Sequence, residues 1–180
     1  MTCLHFQGRG ATKVRVWTDE LPDHAMLPQG LEVELHAIVD ARAAARTKSV
    51  AIEVFRAFGA SFHYGLLGGV FEETGSRSFE FVVPVTDPSP EIMVLEPLAG
   101  RLDRVLVGGG AEFASAVIGG IAELDRRTLP AGRLTFNCMA HGEIGSAPAV
   151  FGSLARATIR MMIRGEGNTS FDDAMNLLAA

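Results

Sequence analysis

Three consecutive glycines divide the most informative part of the chain. Before them, Val105 and Val107 close a short apolar strand. After them, Phe113, Val117, Ile121 and Leu124 recur at helical spacing. Gly108, Gly109 and Gly110 let the chain turn from one to the other without Cβ clashes. Glu112 near the start and Arg126 and Arg127 near the end suit the helix dipole. Burying the four apolar side chains contributes roughly 1.5–3 kcal/mol each, an upper bound because unfolded chains are partly compact. Gly119 and Gly120 cost about 1 kcal/mol each against alanine. They either let the helix lie close on a sheet or leave room for a ligand. Pro130 and Gly132 then punctuate, and residues 133–141 alternate. Leu134, Phe136, Cys138 and Ala140 fall on one face, and Thr135, Asn137, Met139 and His141 on the other. Strand, helix and strand in this order predict a βαβ unit. Ser146 is placed to cap a second helix with Pro148 in its first turn. That helix carries Phe151, Leu154, Thr158 and Met162 on one side, with Val150, Ala157 and Met161 beside them.

The rest of the chain supplies strands. Residues 1–12 lack periodicity and predict a flexible N-terminus. Residues 13–17 alternate, with Val14 and Val16 on one face. Residues 31–39 set Leu31, Val33, Leu35, Ala37 and Val39 against Glu32, Glu34, His36 and Ile38, a half-buried strand with one wet face. Residues 40–46 favour a short helix over a polar turn by propensity. Residues 50–58 are a strand by β-branched and aromatic content. Residues 61–71, with Gly65, Gly68 and Gly69, read as a bent strand pair or a glycine-rich loop. Phe79, Phe81, Val83 and Val85 alternate as a strand, with Pro84 at an edge or near its end, and residues 92–95 read as a short strand. Gly165 and Gly167 break the chain, leaving 166–180 as a tail or short helix. Strands first, with helices interleaved later, predict a single α+β domain over residues 13–165.

A net charge of −5, with no basic run longer than Arg126-Arg127, argues against strong nonspecific nucleic-acid binding. Cys3 and Cys138 fit no metal spacing, and Cys138 reads as a packed thiol rather than a nucleophile. The start lacks a basic segment followed by an apolar run, so no signal peptide is expected. No apolar segment is long enough to span a bilayer, and the expected location is the cytoplasm.

Residues 74–160 resemble domain IV of the translocation factor elongation factor G. Three pieces carry the resemblance. The first is Thr74, Gly75, Ser76, Arg77, Ser78 and Phe79 followed by Val82, Val83, Pro84 and Val85. The second is Glu96, Pro97 and Leu98, then Val107 with Gly108 to Gly110, then a helix from Phe113 through Gly119 and Gly120 to Ile121. The third is Leu129, Pro130, Ala131 and Gly132, then His141, Gly142, Glu143, Ile144, Gly145 and Ser146, and Phe151. The resemblance implies a βαβ-containing sheet covered on one face by helices, with a left-handed crossover against the usual rule. No Gly-x-x-x-x-Gly-Lys-Ser/Thr phosphate loop is present, so translocation itself is outside these 180 residues.

His141 and Glu143 are the best polar pair, in a glycine-flanked loop before a helix N-terminus. His141 suits general acid–base chemistry, and the backbone around Gly145 and Ser146 suits an anion. The bland alternative is a tip loop whose glycines only serve the turn. Gly108, Gly109 and Gly110 can cradle a phosphate, but the dinucleotide spacing is absent. His36, His63 and His141 lack metal-ligand spacing, Glu32 and Glu34 read as same-face acids on a wet strand surface, and neither a metal site nor a cofactor is expected. Phe55, Phe58, Phe62, Tyr64 and Phe71, with Met26, Leu66 and Leu67, form core or an oligomer or ligand surface. The leading reading is a non-enzymatic binding or assembly module whose partner is the ribosome, a protein or another copy. The alternative is a small cytoplasmic enzyme or small-molecule binder using His141, Glu143 and Gly108 to Gly110. A second alternative is a structural homo-oligomer built through residues 55–71.

Overall fold

The computed structural model describes residues 2–8, 12–28, 32–86, 93–165 and 171–179. In chain order the described elements are β1 (Thr2–Gln7), β2 (Thr12–Thr18), β3 (Glu32–Val39), β4 (Ser49–Phe58), β5 (Ser61–Glu72), β6 (Ser78–Val85), β7 (Val105–Val107), α1 (Ala111–Ala122), β8 (Gly132–Gly142), α2 (Pro148–Arg164) and α3 (Phe171–Ala179). The fold is α+β. Its strands form one mixed, open sheet in the order β1-β2-β4-β5-β8-β6-β3, with β7 pairing β8 beyond the path.

The glycine turn feeds α1 as expected, but the strands it joins are not parallel. β7 runs antiparallel to β8, with Leu106 opposite His141. The parallel partner of β8 is β6, over Phe79–Gly132 to Val82–Thr135. The βαβ crossover therefore runs from β6 through α1 to β8, and β7 is too short to serve as its first strand. Helix α1 ends at Ala122; Arg126 and Arg127 lie beyond it in a 3-10 turn capped by Asp125.

The alternation expected along β8 breaks in its middle. Gly68 of β5 pairs with Cys138, whereas Gly69 pairs with Phe136. Asn137 is the extra residue of a β-bulge, and one extra residue moves every later side chain to the opposite face. Leu134 and Phe136 accordingly share a core with Met139, α1 and α2, while Cys138 and Ala140 join the core on the other face. His141, expected on the wetter face, is buried.

The helices α1 and α2 meet at two small residues. A Cβ on Gly120 would strike the backbone of Gly152, whereas Gly119 faces open space. Close approach does explain Gly120, but its neighbour is a helix rather than a sheet. The apolar stripe foreseen for α2 is buried throughout at Phe151, Leu154, Thr158 and Met162. On the second face, residues 21–27 and 93–107 cover Trp17, Ala51, Phe55, Tyr64, Leu66 and Cys138.

Several local expectations are corrected by tertiary pairing. Residues 2–7 are not loose: they form β1, bonded along its length to β2. Residues 40–46 form no helix, because Arg42 and Ala43 donate to Leu129 O and Arg46 to Met162 O; those bonds outweigh propensity. Residues 61–72 are one twelve-residue strand. Its Gly68 allows Ala51 of β4 to approach closer than any side chain would. β4 and β5 are interior strands, and Phe55, Tyr64, Leu66, Leu67 and Phe71 are buried, whereas Phe58 is 44% exposed. Pro84 sits one residue before the end of β6. Residues 92–95 give only a bridge from Met93 to Leu106, and residue 92 lies outside the described residues, as does Gly167.

β3 is the edge strand beside β6, and its polarity is inverted. Alternation assigns Leu35, Ala37 and Val39 to the dry face, yet Leu35 is 59% and Val39 62% exposed. Their opposite face carries His36, stacked on Phe81 with ring centroids 5.1 Å apart, and Ile38, packed on the core. The core-facing side of β6 is fixed by Phe79, Phe81 and Val83, and pairing in register puts the even-numbered residues of β3 beside them.

Candidate functional site

The loop between β8 and α2 closes on a carboxyl group of the chain itself. Asp103, just before β7, is buried and accepts from Gly145 N at 2.7 Å and Ile144 N at 3.1 Å. A Cβ at Gly145 would collide with Phe62 and crowd the same carboxylate, so glycine is needed where the loop closes. Ser146 is not the N-cap of α2, a place taken by Ala147. Its hydroxyl instead accepts from Gly142 N and donates to Tyr64 O, both at 2.8 Å. The donors expected to serve a ligand thus hold the loop to the sheet.

The same is true of the glycine turn. Gly108 N donates to Met139 O at 2.9 Å, and Gly109 N to the Thr86 hydroxyl at 2.6 Å. The Glu112 carboxylate lies against Gly110, placing a negative charge at the start of α1. A phosphate there would find two donors engaged and an acidic neighbour.

His141 donates from Nδ1 to Gly108 O at 2.7 Å, and its ring rests 5.2 Å from Phe113. This bond fixes the ring and leaves Nε2 as the unprotonated nitrogen of the neutral form. Glu143 points elsewhere: its carboxylate meets Arg104 at 3.4 Å on the exposed surface. An exposed pair of that length contributes little. No hydrogen bond or ion pair joins His141 to Glu143.

His36 and His63 do not converge on His141. His36 stacks on Phe81 and touches Glu34 at 3.2 Å, while His63 meets the edge of Phe58 at 5.0 Å. The side chain of Glu32 lies outside the described residues. Among the described residues no group of three or more His, Cys, Asp or Glu is placed to hold a metal. Cys138 is buried, and desolvation with the nearby Glu53 carboxylate pushes its thiol pKa upward, away from nucleophilic chemistry.

One buried polar group was not foreseen. Glu53 is fully buried in β4, where its Oε1 accepts from Tyr64 OH at 2.9 Å and Leu98 N at 2.7 Å. Its Oε2 lies 3.0 Å from Arg15 Nη1. Burial raises the Glu53 pKa, and the Leu98 N–H, Arg15 and Tyr64 only partly restrain it. Tyr64 is pushed up too, first by burial and then by the Glu53 charge. All these partners are protein groups, and the Leu98 bond ties the covering segment to the sheet. The signal was a single acid inside the apolar run of residues 50–55.

The chain matches no protein-family model, no curated protein and no solved structure. Among the described residues no helix is long and apolar enough to cross a membrane.

Proposed function

We propose that the chain is a non-enzymatic binding or assembly module that engages a protein partner through the edge and open face of β3. One observation carries this reading: Leu35, Ala37 and Val39 present an apolar row to solvent on a strand whose outer edge pairs with nothing among the described residues. Unpaired strand edges recruit further strands, and exposed apolar rows mark contact surfaces. The Glu80–Arg133 pair, at 2.6 Å, lies on the neighbouring strands and gives the row a polar rim.

The groups foreseen for catalysis support the same reading. Asp103 takes the Gly145 N–H, Thr86 the Gly109 N–H and Tyr64 O the Ser146 hydroxyl, while His141 donates to Gly108 O. In this proposal the module is a cytoplasmic relative of the translation-factor domain. Its β6–α1–β8 crossover is left-handed, with the helices on one face. The partner is then the ribosome or a ribosome-associated protein.

Co-sedimentation with ribosomes at two salt concentrations tests it. Retention that Leu35→Lys abolishes supports the proposal, and no retention at either salt removes the ribosomal partner. The second reading, self-association, is favoured by the charge pattern of the same strand. An antiparallel copy centred on Leu35 sets Glu34 against His36 of its mate. Light scattering that shows a monomer at high concentration removes it.

A further inference from the structure

We propose a second, separate site: the cleft between α2, α3 and the β4–β5 hairpin binds a short aliphatic carboxylate. Its walls are Val54, Val150, Met175 and Leu178, and Arg56 and His63 line its exposed side. Its volume is about 180 Å³, the liquid volume of about six waters. That accommodates a chain of a few carbons.

Arg56 and His63 face each other across the hairpin and hold a common aromatic neighbour. The Arg56 guanidinium lies 4.9 Å from the Phe58 centroid, and the His63 ring 5.0 Å from it. Stacking on one ring positions both heads. Among the described residues, Arg15, Arg104, Arg133, Arg156 and Arg164 each pair with an acid. Among the described residues no carboxylate pairs with Arg56 or His63, in a chain of net charge −5. The first turn of α2 contributes Ala149 and Val150 to the same wall, so the positive end of a seventeen-residue helix adds to the field. An apolar slot with two donors and a helix N-terminus fits a carboxylate head and an alkyl tail.

The test is calorimetric titration of the intact chain with sodium hexanoate, hexylammonium chloride and 1-hexanol. Saturable hexanoate binding, weaker hexanol binding and no hexylammonium binding are expected. Arg56→Gln and His63→Gln should each weaken hexanoate on the order of tenfold, the loss of one charge-assisted hydrogen bond. Val150→Trp, which fills the slot, should abolish binding while thermal unfolding shows the fold retained. Absence of saturable binding, equal binding of hexylammonium, or indifference to all three variants overturns the proposal. The β3 surface lies elsewhere on the sheet, so either result leaves the partner reading to its own test.

Discussion

Asp103 accepts the Gly145 amide at 2.7 Å, and through that bond a residue forty-two positions upstream shapes the loop before α2. Removing the carboxylate leaves the buried Gly145 N–H, and the part-buried Ile144 N–H beside it, without an acceptor. Asp103→Ala should destabilise the fold by about 1–3 kcal/mol, and Asp103→Asn by less, since it keeps one acceptor oxygen. Urea unfolding measures both. Partial recovery of Asp103→Ala by added formate would show that the loop is an anion nest in its own right.

Glu53 predicts a pH dependence. Its folded-state pKa lies above the unfolded one because burial outweighs its hydrogen bonds and Arg15. The stability it contributes is fully present below the ordinary carboxylate pKa of about 4.3 and is lost as pH rises through the folded value. The wild type should therefore lose stability relative to Glu53→Gln as pH rises above the ordinary carboxylate pKa. A difference that instead grew with pH would mean that Arg15 holds the carboxylate charged.

Gly119 and Gly120 are adjacent and should respond oppositely. Gly119 faces open space within α1, so Gly119→Ala should stabilise by about 0.5–1 kcal/mol. Gly120→Ala drives a methyl into the backbone of Gly152 and should cost about 1–3 kcal/mol. Thermal unfolding of the two variants separates them.

The two cysteines differ in access rather than in chemistry. Cys3 is partly exposed, with its thiol pKa raised chiefly by desolvation, while Cys138 is fully buried with its own raised further. A thiol-reactive chromophore should label Cys3 slowly and reach Cys138 only after denaturant is added. Fast labelling of Cys138 in the native protein would contradict its place in the core.

Patterns local to one element were legible in the sequence. The stripe of α1, the buried side of α2 and the alternation of Phe79, Phe81 and Val83 all follow from period and composition. What escaped reading depends on partners far away in the chain. Asn137 carries no local sign of a bulge, because the extra residue is defined only against β5. The inversion of β3 is set by register with β6, although Leu35 and Val39 look like core when the strand is read alone. Residues 40–46 have helical propensity but find their acceptors at Leu129 and Met162. At the candidate site the glycines drew attention to backbone N–H groups, but only the fold reveals that those of Gly145 and Gly109 go to Asp103 and Thr86.

The position of β8 has a consequence for how the chain matures during synthesis. Among the described strands, those before it other than β7 pair as two pieces, the ribbon β1-β2-β4-β5 and the long-range pair β3–β6, which share no pairing with each other. Until Gly132–Gly142 is made, each piece carries a raw flank that β8 will later close. The nascent protein therefore passes through an interval of exposed strand edges, the condition under which chains aggregate. Slowing translation just upstream of residue 132 should lower the soluble yield.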